Sequence, residues 1–375
     1  MTETSLRQYR GFRTDRRMSM DIYAEYMGGI ATSEGFDLKV VRPESNLEKF
    51  SSSRLVMRYL RYRYYPHLAK REDADLHHVL DHGYAHLMPS FKHLNKNAKT
   101  CVTVHDLIPK LTWNGSIKSA NGLSMPSRKP WLNLKSLSYL IHYDRIIAVS
   151  NSTKNDLIEH LALPADKIEV IGPIIDKVFQ PVSNQSINDF ANKYGFDRDC
   201  KWLMITGSEY YKNHQICLKV LAELNLQHEF EFRLVKTGLV SDDFHKMAED
   251  LGLEPKVKSI FVEDTRELAQ LYGLVDCLLF PSLYEGFGMP VIEALACGTP
   301  VVCSDRGSLP EVSGSLAGIC DAGDVIGLSR EVTSMVFDNQ RRIAVAEQAP
   351  EWVHQFRSDV LEPKINRLYH AIANS

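Results

Sequence analysis

The stretch EGFGMPVIEALACGTPVVCSD, Glu285 to Asp305, decides how the rest of the chain is read. LVDCLLFPS, just before it, is a short apolar run of the kind that forms a buried strand and stops at Pro281 and Ser282. The glycine-bearing turn LYEGFG follows, and Pro290 suits the first turn of a helix, where its missing N–H is not needed. VIEALACG then runs as a helix to Gly298, and TPVVCSD (299 to 305) is the next strand. Strand, turn, helix and strand make a crossover unit of a parallel sheet, with Glu285 in the loop at the strand's carboxyl end and Glu293 early in the helix.

Outward from this unit the same alternation recurs. KWLMITG (201 to 207), EFRLVKTG (231 to 238), KSIFVED (258 to 264) and DCLLFPS (276 to 282) are the other strand candidates of the second half. FDLKVV (36 to 41), LHHV (76 to 79), KTCVTVH (99 to 105), RIIAVS (145 to 150) and KIEVIG (167 to 172) are those of the first half. At 375 residues the chain exceeds the usual size of one core. Two Rossmann-like domains follow, 1–180 and 181–355, with a boundary near Pro181 and a terminal helix over 356–375 packing back on the first domain. The segment between His105 and Arg145, DLIPKLTWNGSIKSANGLSMPSRKPW, reads as an irregular loop over the sheet edge, and loops of that length usually serve binding.

Composition narrows the functional classes. A formal charge of −3 gives no reason to invoke a nucleic acid partner. Basic residues gather in the first 71 positions, where RLVMRYLRYRYYPHLAKR, Arg54 to Arg71, interleaves base and aromatic. That run fits an acidic lipid surface, a phosphate, or a solvated helix face whose long stems cover apolar surface. The seven cysteines form no CxxC pair and sit mostly among apolar neighbours, as reduced thiols in the cytoplasm do. No apolar run reaches membrane-spanning length, so membrane contact would be peripheral, at the inner face.

Chemistry explains the paired acids. A carboxylate can accept hydrogen bonds from two vicinal hydroxyls, and free amides at a helix start can hold a phosphate. Glycines at 286 and 288 let the backbone approach such a ligand. The competing reading makes Glu285 a turn residue and Glu293 an exposed helix residue at the positive dipole end. His77 and His78, in ADLHHVLDHGYAH, are adjacent on a strand and so point to opposite faces, unlike a metal pair, while His82 follows in the loop.

Taken whole, Glu285 to Asp305 resembles the E-x7-E signature of the retaining glycosyltransferases of family 4, the group 1 glycosyltransferases. The likeness runs from about His105 to Gly314: TVHDLIP, RIIAVSNSTKNDL, KIEVIGPIIDKVFQP, TGSEYYKNH, VEDTRELAQLYGLVDCLLFPS and SDRGSLPEVSG occur in the family's order. The resemblance implies the GT-B fold, an α/β architecture of two Rossmann-like domains with a cleft between them. It implies an acceptor-binding first domain and a second domain that binds a nucleotide-diphosphate sugar.

By the same resemblance Glu285 lies near the reacting centre, Glu293 holds the ribose, and the amides of Gly286, Phe287, Gly288 and Met289 position sugar and diphosphate. Gly207 and Lys212 match the glycine turn with its diphosphate-neutralising lysine, and His105 approaches the transferred sugar. Tyr210 and Tyr211 stand in the neighbourhood where the family commonly has an arginine, so neutralisation of the diphosphate rests either on Lys212 with backbone amides or on a base supplied elsewhere, such as Arg145 or Lys236. The amino terminus departs from the family's Gly-rich loop. Gly11 is its only glycine before a helix expected near Ser19, with Arg13, Arg16 and Arg17 beside it to meet an acidic or phosphate-linked acceptor.

The implied activity is retaining transfer of a hexosyl group, from a donor such as GDP-mannose or UDP-glucose, to a saccharide or lipid-linked acceptor in surface polysaccharide or lipopolysaccharide biosynthesis. Nothing resembles a DxD metal motif, so neither a metal nor a further cofactor is expected. The alternative is a non-catalytic sugar-nucleotide-binding or scaffolding subunit. A dehydrogenase is disfavoured because no candidate strand leads into GxGxxG.

Overall fold

The computed structural model describes residues 4–13, 18–44, 53–117 and 130–375, with the side chains of residues 18 and 19 left aside. Arg16, Arg17 and residues 118–129 of the long Pro, Gly and Ser segment lie outside the described residues. The chain folds as two compact units: the first ends at Trp113, resumes before Ile174 and takes up the chain again from Ser358, and the second begins at Asn114 and holds Ile175–Arg357.

The first unit is built on six parallel strands: β1 (Ser5–Tyr9), β2 (Asp37–Val41), β3 (Leu76–Val79), β4 (Lys99–Val104), β5 (Arg145–Ala148) and β6 (Ile168–Val170), in the order β2-β1-β3-β4-β5-β6. β1, a central strand, has no counterpart among the runs picked out from the sequence. Arg7 and Gln8 interrupt its apolar pattern, yet Gln8 is fully buried. Leu6, Leu76, Cys101 and Ile147 from the sheet pack with Met27 and Ile30 of the helix Met18–Ser33. The helix Ser358–Ala373 adds Leu361, Ile365, Tyr369 and Ile372 to the same core. Each such side chain, fully removed from water, contributes about 1.5–3 kcal/mol to the fold.

The long segment after His105 is not irregular throughout. Asp106 Oδ1 accepts from Ile108 N at 2.9 Å, Pro109 occupies the opening turn, and Ile108–Trp113 forms a helix with Ile108 and Leu111 buried. A second helix covers Trp131–Leu137. His77 and His78 do face opposite ways: His77 stacks on Phe91 and shares a hydrogen bond with Tyr9, whereas His78 bonds Tyr369 and Thr103. Burial pushes the two imidazoles down to about 4 and about 3, so both are neutral packing residues at ordinary pH.

The second unit has β7 (Lys201–Ile205), β8 (Phe232–Thr237), β9 (Val257–Ile260), β10 (Cys277–Phe280), β11 (Val301–Ser304) and β12 (Gly318–Cys320), again all parallel. The order is β12-β11-β10-β7-β8-β9. From β7 the chain winds outward through β8 and β9, then crosses back to β10 and winds the other way. This is the doubly wound Rossmann order, and its direction reverses between β7 and β10. In the first unit the reversal falls between β1 and β3. Loops that leave neighbouring strands in opposite directions open a crevice at their carboxyl ends, which makes each reversal the natural ligand position.

All seven cysteines are unpaired, and six of them are buried. Among the described residues no helix is long and apolar enough to cross a membrane, and no group of three or more His, Cys, Asp or Glu side chains is placed to hold a metal ion.

Candidate active site

The reversal in the second sheet brings together two loops that are far apart in sequence. After β7 the chain turns at Gly207 with φ +89° and winds through Tyr210–Lys212 to Asn213, whose left-handed backbone starts the helix His214–Gln227. After β10 it forms the loop from Pro281 to Gly288 and enters the helix Met289–Ala296, with Pro290 in its first turn. The loops are pinned to each other: Leu283 N donates to Tyr211 O at 2.7 Å, and Asn213 Nδ2 donates to Pro281 O at 3.0 Å and to Ala322 O at 2.8 Å.

Across this junction Lys212 Nζ lies 2.8 Å from Glu285 Oε1, with side chains only 12% and 9% exposed. An ion pair so far withdrawn from water is costly to form and is held by its surroundings. Lys212 stands 4.7 Å from the centre of the Phe280 ring and 5.4 Å from that of Tyr211, so aromatic faces share its charge. Tyr211 thus supplies a cation-binding ring beside Lys212.

Of the two other bases named from the sequence, one lies beside the glycine turn. Lys236, on β8 beside β7, is 1% exposed and donates to Gly207 O at 2.6 Å and to Thr237 O at 3.2 Å, so its ammonium sits directly under the glycine turn. Burial lowers its pKa from the ordinary lysine range. Arg145 opens β5 of the first unit, at the amino end of the strand, and donates to Asp144 O at 3.0 Å. That is the edge opposite the one where the reversal crevices open.

Glu285 is positioned from below by a loop whose role the motif spacing did not disclose. Ser308 N and Ser308 Oγ both donate to Glu285 O at 3.1 Å, and Ser308 Oγ donates to Phe287 O at 2.6 Å. Next to Ser308, Gly307 has φ +58°, and a Cβ there would fall 2.3 Å from Glu285 O. No other residue fits. SDRGSLPEVSG, legible in the sequence as a segment that resembles the family's, is thus a cradle for the EGFG turn.

Glu293 lies on the helix Met289–Ala296 and accepts from Tyr272 Oη at 2.9 Å. Burial pushes its carboxyl up to about 7, against the opposing pulls of the Tyr272 hydroxyl and the Lys212 ammonium. Tyr272 is itself fixed, since its carbonyl accepts from Thr299 Oγ1 at 2.7 Å and its ring meets Phe179 edge-on. Gly207, Lys212, Glu285, Gly286, Phe287, Gly288, Met289 and Glu293 all belong to this one unit. His105 belongs to the first, at the carboxyl end of β4. Its Nε2 donates to Leu80 O at 2.9 Å, which leaves Nδ1 as the acceptor nitrogen of the neutral ring, and Tyr23 packs edge-on against it. Burial lowers the His105 pKa.

Comparison with known proteins gives the family and the fold. Residues 187–352 match the family model of glycosyl transferases group 1, and residues 24–178 match that of glycosyltransferase family 4. The chain belongs with the GT-B glycosyltransferases of family 4 and group 1. Within that family it is 27% identical over 252 residues to a D-inositol 3-phosphate glycosyltransferase of Corynebacterium kroppenstedtii, covering 62% of this chain and 56% of that protein. It is 29% identical over 205 residues to O-antigen chain mannosyltransferase B of Escherichia coli, covering 54% of each. The match thus spans little more than half the length of these curated relatives. The fold is similar to that of Anabaena HepE in complex with UDP and glucose, with a TM-score of 0.72, 17% identity and 100% coverage of both chains.

Proposed function

We propose that this chain transfers a hexosyl group, mannosyl or glucosyl, from a nucleotide-diphosphate sugar to a saccharide or lipid-linked saccharide during surface polysaccharide assembly, with retention at the anomeric carbon. The observation that carries the reading is the withdrawn Lys212–Glu285 pair at the β7/β10 reversal, beside the Gly286 to Met289 turn. The resolved relative with UDP and glucose and the O-antigen mannosyltransferase support the donor class and the setting.

In this reading the second unit binds the donor and the first the acceptor. The incoming diphosphate takes Lys212 away from Glu285, and Lys236 adds positive potential through the Gly207 turn. Fixed cations and amides stabilise the charge on the departing diphosphate without reorganising. Glu285, released from its ion pair, faces the sugar as positive character develops at its anomeric carbon. Glu293 accepts hydrogen bonds from the ribose hydroxyls. The acceptor attacks from the face the diphosphate leaves, a diphosphate oxygen assists its deprotonation, and His105 accepts a sugar hydroxyl at Nδ1 rather than acting as the base. No divalent cation takes part, so a chelator leaves the rate unchanged.

The reading includes peripheral attachment at the inner face of an anionic membrane. Helical residues 54–69 carry exposed Arg54, Arg58 and Arg63, with Leu55 78% and Tyr59 53% exposed on the same element. Sedimentation with anionic but not neutral liposomes is the expected outcome, and binding to neither would remove the attachment.

The test of function is nucleotide release across UDP, GDP, ADP and dTDP sugars with a mixed acceptor pool, followed by NMR of the product's anomeric centre. Release from one donor, lost in Glu285→Ala and giving a product of the donor's configuration, is expected. Tight nucleotide binding with no turnover under any acceptor would favour the non-catalytic binding subunit instead.

A further inference from the structure

The first unit contains a cavity of about 650 Å³ at the carboxyl ends of β1 and β2, lined by Arg10, Arg13 and Arg42 and by Asp21, Glu25 and Glu44. Arg10 and Asp21 also border a smaller crevice with Gly11, Leu80 and Asp81, where β1 and β3 diverge. The larger cavity therefore adjoins the reversal point of this sheet, the position where doubly wound folds take ligands.

Its lining is not a uniform basic patch. Arg42 is fully engaged, with Nη1 on Gly11 O at 3.3 Å and Nη2 on Asp21. Arg13 pairs with Glu44 at 3.3 Å, but those side chains are 75% and 66% exposed, so solvent screens the contact and it is readily exchanged. Arg10 differs from both. It is 9% exposed and donates through Nη2 to Ala24 O at 2.9 Å, while its Nε has no acceptor among the described residues. That Nε is sealed from the cavity, so what Arg10 presents to a ligand is the positive charge of a guanidinium held at the cavity wall. Three guanidinium groups facing three carboxylates leave the cavity near neutrality, which suits neither a bare anion nor an uncharged sugar. The arginines match anionic oxygens, and the carboxylates accept hydroxyl hydrogens.

We propose that this cavity binds a hydroxylated acid, a sugar bearing a phosphate or a carboxylate, with Arg10 and Arg13 on the acid group and Asp21 and Glu25 on neighbouring hydroxyls. As a statement about the acceptor it rests on the transferase reading, and it makes the acceptor an acidic saccharide. The probes are glucose 6-phosphate, glucuronate and glucose, titrated calorimetrically into the full chain, with UDP and GDP titrated into the same samples. At least one acidic sugar should bind about tenfold or more tighter than glucose, the scale of one charge-assisted hydrogen bond. The acidic probe preferred identifies phosphate or carboxylate as the group recognised.

Arg13→Gln, at an exposed position that does not threaten folding, should weaken the acidic probe several-fold while leaving nucleotide affinity unchanged. Arg10→Gln, which removes the charge from the cavity wall, should do the same. Equal affinity for glucose, no binding of either acid, or acid binding indifferent to both substitutions would overturn the proposal. Loss of nucleotide binding with acid binding intact would instead count against the transferase reading and leave the cavity's ligand standing.

Discussion

The two sheets reverse direction in the same way, yet they build their crevices from different material. At β7/β10 the crevice is made by two loops stitched through backbone groups: Leu283 to Tyr211, Asn213 to Pro281, and Ser308 to Glu285 and Phe287. The cavity that adjoins the β1/β3 reversal is made by side chains, arginines and carboxylates gathered from the ends of β1 and β2 and from the helix Met18–Ser33. A crevice fixed by backbone contacts demands glycine and particular turn residues, and these leave a readable motif. Side chains that converge from separate elements leave no spacing to read.

If that contrast is right, the largest losses follow substitution in the second unit. Glu285→Ala should lower turnover about 10²–10³-fold, as removal of a preorganised group at the reacting centre does, with donor affinity changed far less. Steady-state rates with the active donor check this. Gly307→Val comes next, because its side chain cannot coexist with Glu285 O at the present backbone position. Its activity should fall at least tenfold, with a melting temperature lowered by several degrees, since backbone strain and displacement typically cost about 1–3 kcal/mol. A Gly307→Val enzyme with normal activity would mean that the cradle does not position Glu285.

Smaller effects sharpen the comparison. Glu293 binds vicinal hydroxyls best as the carboxylate, and burial pushes its pKa up to about 7. Donor affinity should therefore rise with pH through neutrality and level off above it, and Glu293→Gln should flatten the profile. Tyr272→Phe removes the hydroxyl that donates to Glu293 Oε2 and should weaken donor binding a few-fold, about one hydrogen bond's worth, with turnover at saturating donor preserved. A loss confined to turnover would show that Tyr272 does not act through Glu293.

Much of this architecture is legible without coordinates. β3 coincides with LHHV, and most of the other strands fall within the apolar runs, because strands buried on both faces need β-branched and other apolar residues. β1 escaped because Arg7 and Gln8 interrupt its pattern, and β12 because three residues with a glycine give too little signal. The carboxylate pair, the lysine and the glycine turns are motif residues within one unit. Lys236 is named from the sequence only as one of two candidate bases, and Tyr272 and Ser308, which touch Glu293 and the Glu285 loop from other elements, are not, because a tyrosine on a helix or a serine in a loop carries no mark of what it will touch. The arginine cavity is legible only in Arg13, named with Arg16 and Arg17 for an acidic or phosphate-linked acceptor, and not in Arg10, Arg42 or the acids that complete it.

The most direct test is a calorimetric titration of the active nucleotide sugar into Glu285→Ala and Glu293→Ala side by side. The account predicts donor affinity near wild type for Glu285→Ala and at least about tenfold weaker for Glu293→Ala, a loss of about 1.4 kcal/mol or more. Equal affinities for the two variants, or the reverse order, would contradict the division of labour between the two acids.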